Sequence, residues 1–381
     1  MLKWVQSGVS AIAGTAEPVY GPEALHSVVD TVKDRNAFEP LVEKDLEWRN
    51  LTFTNVETQT FYLTLTSGHM CFVQVILSNL AGLHTTSQFT CRIYHPDKPE
   101  ESVWTSTHLN DFSIKDDRKV DFSADDLKIT LSKDLKEYTI VSNVNKESQI
   151  DIKIAQEAPG FKIGPDGLTK YGTEVDKPWG TMRHMFWPRA TVSGKIVVKG
   201  IELAAEGQAM YVMALQGMKP QHTASRWNFV NFQGPTLSAI MMEFTTPPSY
   251  GSSIVNIGGV ARKSELLAAT VQNSATHTKT KSDDENGWPE PAEIKLVWDG
   301  VSPTPAATPI HAELTAPIPN LVERVDVMAE IPAFVKKIVA GVAGTKPYIY
   351  QYSNPATITV KIGDEVITES GHLYNEATFI S

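Results

Sequence analysis

The densest concentration of aromatic, sulfur and polar side chains in the chain is KPWGTMRHMFWPRATVSGKI, residues 177–196. The segment ALQGMKPQHTASRWNFVNFQG, residues 214–234, has the same character. Together they hold Trp179, Met182, Arg183, His184, Phe186, Trp187, Trp227, Phe229 and Phe232, with Met241 and Met242 just beyond. Met and aromatic side chains adapt to flexible hydrocarbon, while Arg, His and Asn can satisfy hydroxyl and amide groups. One reading is a mostly apolar ligand pocket with a few placed polar groups. The other is a packed core at the junction of two barrels. Both can hold, for different residues of the segment.

Other chemistry is sparse. A phosphate loop, a G-x-S-x-G elbow, an H-E-x-x-H pair and an EF-hand loop are all missing from the sequence. The histidines, among them His69, His84, His184, His222 and His311, never pair at a metal spacing. Asp116-Asp117, Asp125-Asp126 and Asp283-Asp284-Glu285 fall in turn-like stretches. They read as solvated loops, with a loose cation site as the alternative. Cys71 and Cys91 lie in strand-like apolar runs and read as buried thiols, a disulfide between neighbouring strands being the other option. The expectation is a protein without metal or cofactor.

The elements around these residues come in two kinds. In MLKWVQSGVSAIAGTA, at 100° per residue, Leu2, Val5, Val9, Ile12 and Ala13 share one face, and Trp4 stands at its border. Pro18 and Gly21 stop this amphipathic helix. Its polar face is Ser, Gly and Gln with one lysine, so it gains little from anionic lipid and depends on inserting its apolar face. Met1, Leu2, Trp4, Val5, Val9, Ile12 and Ala13 are the candidate membrane contacts. A terminal helix docked on the protein's own surface is the competing reading.

Beyond a charged stretch with one short helical pattern (Leu25, Val28, Val29, Val32), the sequence reads as β. QTFYLTLT and HMCFVQVIL form a hairpin about Ser67-Gly68, and LKITLS and QIDIKIA alternate cleanly. A second series starts at residue 190 and ends in the hairpin ATITVKIGDEVITES, turning at Gly363-Asp364. One helix, PAFVKKIVAGVAG (332–344), interrupts it. Short strands separated by turns indicate sandwiches or barrels, and long βαβ patterns are absent. Each series is about the size of one eight-stranded antiparallel barrel able to hold a small ligand. The expected division is a membrane-binding helix over 1–20, a linker or helical leader over 21–50, and barrel domains over 51–217 and 218–381.

Composition agrees with a folded, non-nucleic-acid-binding chain. The 381 residues are 41% hydrophobic and carry a net charge of −10, with 34 Lys+Arg against 44 Asp+Glu. Phosphate backbones call for clustered positive charge, and this balance is the reverse. No apolar run reaches the ~20 residues that span a bilayer, and no signal peptide is evident. A cytosolic, at most peripherally bound protein is expected.

The opening MLKWVQSGVSAIAGTAEPVYGPEALHSV, with WGTMRHMFWPRATVSG and ALQGMKP…ASRWNFVNFQG, resembles the fungal survival-factor family. The resemblance runs in order along essentially the whole chain. It implies a mainly β protein of two tandem lipocalin-like (calycin) barrels preceded by the amphipathic helix. It also implies a monomeric carrier of ceramide, peripheral on endoplasmic reticulum and early Golgi membranes, linked to survival under oxidative stress. In that family the leading helix is acetylated and anchors the protein, and Met1-Leu2 keeps a start of that kind. Calycin relatives include enzymes acting on isoprenoid lipids, so a cyclase or hydratase with His184 as general acid is the rival class. A scaffold whose aromatic cluster is only core is a third.

Overall fold

The computed structural model describes residues 19–32, 36–80, 82, 84–115, 118–330 and 346–381. The expected leading helix, with all its membrane contacts, and the expected helix over 332–344 lie outside these residues. So does the Asp116-Asp117 pair.

The described chain is dominated by two antiparallel sheets. Eleven strands form the main path of the first. It runs Val103–Leu109, His84–Tyr94, Met70–Leu80, Asn55–Leu65, Gly207–Gln216, Gly180–Val198, Ser148–Gln156, Glu137–Ser142, Leu127–Leu131, Arg118–Ala124, Ser113–Lys115. The main path of the second runs Glu265–Thr270, Ile254–Arg262, Leu237–Thr245, Arg226–Gln233, Glu365–Phe379, Tyr348–Ile362, Pro309–Pro317, Pro289–Val301, Gln272–Ser282. Both are meanders built alike. In each, the first strand of the series pairs with the last, and the open edges are its consecutive fourth and fifth strands.

Alternation explains why each sheet curls. In Leu127–Leu131 the burial runs buried, exposed, buried, intermediate, buried, so one face is apolar and the other wet. The inward residues of the first sheet converge in one cluster that includes Phe61, Val73, Ile129, Ile152, Trp187 and Tyr211. Those of the second include Val230, Leu296, Trp298, Ile358 and Leu373. Side chains bridge each open edge. In the first sheet, Thr105 and Ser148 hydroxyls lie 2.5 Å apart. In the second, the Ala275 N–H donates to Glu243 at 3.3 Å, and His277 Nε2 meets Asn228 Oδ1 at 2.8 Å.

A third apolar cluster lies where the two sheets pack against each other. Tyr62 of the first sheet stacks on Phe229 of the second at 4.8 Å and meets Tyr374 at 5.3 Å. The leader crosses this joint. Tyr20 and Gly21 donate to Ser249 O, Leu25 pairs with Tyr171, and Phe38–Pro40 pairs with Phe161–Ile163. Its expected helix is not formed. Leu25–His26 is a strand, and Val28–Thr31 is a single 3-10 turn capped by Ser27 and Asp30. Pairing with a neighbouring strand satisfies this backbone better than an isolated turn of α-helix, whose nucleation is unfavourable.

The sequence reading differs at two further places. The strand expected from residue 190 begins at Gly180 and includes most of the aromatic segment. The strand Gln272–Ser282 was not foreseen beyond its first residue, because its polar sequence QNSATHTKTKS carries no hydrophobic alternation. The hairpin at Ser67-Gly68 forms, with Gly68 at φ +84°, where a Cβ would be strained. Cys71 and Cys91 are free and buried in the first core, and burial pushes the Cys91 thiol up to about 12. Such thiols stay protonated and unreactive.

Candidate functional site

The aromatic segment lies on the strand Gly180–Val198, whose side chains alternate between two different cores. Met182 and Phe186 point into the joint between the sheets, whereas Trp187 points into the first sheet's own core. There Trp187 is fully buried against Tyr138 at 5.0 Å and Tyr211 at 5.4 Å. On Arg226–Gln233 the same alternation sends Trp227 and Phe229 to the joint and Phe232 into the second core. Met241 joins the second core and Met242 the joint. Trp179 is exposed at the rim, where its indole donates to Tyr250 at 2.9 Å. The expected residues are therefore not one lining. Met182, Phe186, Trp227, Phe229 and Met242 meet at the joint, and the others serve elsewhere.

Arg183 and His184 differ as well. Arg183 is buried at the end of the first sheet, where its guanidinium donates to Asp45 Oδ1 at 2.8 Å. Lys162 reaches Asp45 Oδ2 at 2.7 Å. Burial lowers the Arg183 pKa, and Asp45 works against that shift. One carboxylate between two buried cations is a structural tie of the leader to the sheet, not a reactive group.

His184 is 3% exposed, and burial pushes its pKa down to about 4. Its folded pKa lies below the unfolded 6.5, so the unfolded chain binds the proton first as pH falls. Its contribution to stability is whole above 6.5 and is lost as pH drops through that value towards 4. The difference amounts to about 3 kcal/mol at most. In urea titrations, wild type should therefore lose stability relative to His184→Gln as pH falls from neutral to mildly acid. Parallel losses in the two proteins would contradict this.

Sequence reasoning missed the polar knot at the edge of the joint. Tyr94 donates to Gln351 Oε1 at 2.8 Å, and Arg92 Nη1 reaches the same oxygen at 3.2 Å. Gln351 and Tyr374 each donate to Glu376 Oε1 at 2.8 Å. Burial raises the Glu376 pKa. These residues are scattered through the sequence, and only the register of Tyr348–Ile362 against Glu365–Phe379 brings Gln351 opposite Glu376. No local pattern marks them. Among the described residues no group of three His, Cys, Asp or Glu converges as a metal site, and no helix is long and apolar enough to cross a membrane.

The joint is a packed aromatic and methionine cluster, with hydrogen-bonding groups at its margin.

Known folds and sequences set this geometry in context. The structure is similar to a putative AttH from Nitrosomonas europaea, at TM-score 0.58 and 13% identity over 90% of this chain and 100% of that one. It is also similar to kievitone hydratase from Nectria haematococca, at TM-score 0.53 and 14% identity over 95% and 98%. Likeness at these identities concerns the fold alone. Among sequences, ceramide-binding protein svf-1 of Neurospora crassa is 46% identical over 384 residues, covering 100% of both chains. Ceramide-binding protein svf1 of Schizosaccharomyces pombe is 47% identical, and that of Candida albicans 49%, again over 100% of both chains. The Svf1 family matches residues 2–381. With a family match over nearly its whole length and full-length relatives close to half identical, the chain belongs to the Svf1 family.

Proposed function

We propose that this protein binds ceramide and carries it between the endoplasmic reticulum and the Golgi. The observation that carries the reading is the full-length similarity to proteins named for ceramide binding. Carriage answers a physical need. Exposing a sixteen-carbon acyl chain to water costs on the order of 12 kcal/mol at ~0.8 kcal/mol per methylene. Unassisted exchange between membranes is therefore slow. In this reading residues 51–217 and 218–381 are tandem lipocalin-like barrels that shelter the lipid, and residues 1–20 form the helix that docks on membranes. Residues 21–50 link the two functions. The carrier works as a monomer without nucleotide, down a concentration gradient, and supports sphingolipid balance under oxidative stress.

Lipid that co-purifies from fungal cells, analysed by mass spectrometry, tests the ligand. Intact ceramide is expected, and an altered isoprenoid would instead make the protein an enzyme. Burial keeps His184 neutral at cytosolic pH, which argues against its acting as a strong proton donor. His184→Gln should accordingly keep most ceramide transfer between labelled vesicles. A product formed by wild type and lost in this variant would reverse the reading.

The anchor has its own test. Val9→Asp puts a charge in the middle of the apolar face and should release the protein from liposomes. Its thermal stability should barely change. A variant that floats with liposomes as wild type does would end the anchor proposal. Neutral liposomes with packing defects should bind wild type nearly as well as anionic ones, since the polar face has a single lysine.

A further inference from the structure

The interior of the second sheet is mostly apolar, and a belt of polar side chains crosses it. On three adjacent strands Asn228, Glu243 and Asn256 stand side by side in register, all turned inward. Two residues further along, Asn375 stands between Val230 on one side and Tyr352 on the other. Alternation sends Asn375 inward together with Leu373 and Ala377, and Tyr352 is itself part of that core.

Most of the belt is satisfied internally. Asn228 donates to Glu243 Oε1 at 3.2 Å, and Asn256 donates to Glu243 Oε2 at 2.7 Å. His277 closes it at Asn228. Three side chains are not. Asn375 is 0% exposed, and both its amide oxygen and its amide nitrogen lack a partner among the described residues. Tyr352 is 1% exposed, and its hydroxyl lacks one too. The Asn256 amide oxygen is the third. Buried polar groups are rarely left this way, and each such case in a folded protein calls for an explanation. The first sheet's comparable tyrosines have found one, since Tyr138 donates to Tyr211 at 3.3 Å.

The unpartnered atoms define a chemistry. Asn375 offers a donor and an acceptor from one amide, which is the complement of a second amide. Tyr352 offers a hydroxyl that burial keeps protonated, so it is available both to give and to take a hydrogen bond. The acidic group of the belt, Glu243, is already engaged by Asn228, Asn256 and the Ala275 N–H, and the acidic groups near Tyr352, Asp283 and Glu290, are paired with Arg324 and Lys281. His277 is neutral, because burial takes its pKa down to about 4. Neither supplies the positive charge that a phosphate would want. The surroundings, with Trp298, Leu296, Ile358 and Leu373, suit hydrocarbon.

We propose that Asn375 and Tyr352 form the polar end of a lipid site inside the second sheet, recognising an uncharged headgroup that carries both an amide and hydroxyls. The proposal deepens the ceramide reading and rests on it. It separates the roles of the two apolar regions: the joint holds the sheets together, and the second interior selects the ligand.

Asn375→Leu and Tyr352→Phe test it in the full-length protein. Each removes polar atoms that have no protein partner, so each should fold with an unchanged or raised melting temperature. Equilibrium binding is measured with a ceramide and with a diacylglycerol of matched chains, which has a hydroxyl but no amide. Wild type should prefer ceramide. Asn375→Leu should weaken ceramide binding on the order of tenfold and leave diacylglycerol unchanged. Tyr352→Phe, which loses a single oxygen, should weaken both lipids several-fold. Folded variants that bind ceramide as wild type does overturn the site and leave ceramide binding itself intact. A wild type that binds neither lipid overturns the ceramide reading, and the site with it.

Discussion

Replacing Trp187 with alanine should destabilise the protein by about 3–5 kcal/mol and leave little of it soluble. The indole is wholly enclosed, with Tyr138 and Tyr211 against it and Gly160 packed so closely that a Cβ there would lie 2.5 Å from the ring. Its surroundings are fixed by pairing of Trp187 with Tyr211 on one side and of Phe186 with Phe161 on the other, so little can collapse into the space. The cost is then lost transfer free energy plus a cavity term. Trp227→Ala, at a residue only half-buried at the edge of the joint, should cost less and remain soluble. Urea unfolding at constant m-value separates the two. A Trp187→Ala protein within 1 kcal/mol of wild type would mean the indole lines an open pocket after all, which is the alternative that the sequence left standing.

That alternative could not be resolved from the sequence because of a single geometric fact. GTMRHMFW mixes apolar and polar residues without a period-two alternation, yet a strand deals its side chains to opposite faces. Met182 and Phe186 thus enter one core and Trp187 another. A segment buried on both faces loses the alternation that would reveal its two destinations. The same reason hides Trp227 and Phe229 from Phe232. Where one face stays wet, as in Leu127–Leu131 or Ser148–Gln156, the strand was legible and its inward residues follow directly.

What stayed illegible depends on long-range register. Asn375 meets Tyr352 through the pairing of two fifteen-residue strands, and Asn228 meets His277 only because the sheet curls. Isolated Asn residues inside a strand carry no signal of their own. The polar strand Gln272–Ser282 escaped for a related reason: its place at an open edge lets most of its residues face water. Family membership, in contrast, was legible in the opening residues and the aromatic segment, because it needed only the order of the residues and no contact between them.

Arg189 should be the residue that most firmly couples the two sheets, and Arg189→Met should cost about 3–5 kcal/mol. It sits in a bulge of the strand Gly180–Val198, where the register shifts between Trp187 and Ala190 and Pro188 removes a ladder N–H. The bulge turns the guanidinium towards the second sheet. There Nη1 donates to Gly234 O at 2.9 Å, Leu237 O at 3.3 Å and the Ser238 hydroxyl at 3.0 Å, and Nη2 to Pro235 O at 2.8 Å. Its Nε meets Glu157 at 2.7 Å. Methionine fills similar space but leaves the Gly234 carbonyl without this donor, and Leu237 O keeps only the Gly234 N–H. Lysine should recover only part of the loss, because a single ammonium cannot serve acceptors spread around a planar fork. Glu157→Ala should cost far less, since Glu157 is partly exposed and supplies one contact of the set. In a double-mutant cycle, adding Glu157→Ala to Arg189→Met should therefore change stability by less than about 0.5 kcal/mol. If Arg189→Met instead matches Glu157→Ala in cost, the carbonyl contacts to residues 234–237 contribute nothing, and the sheets are held together by the apolar joint alone.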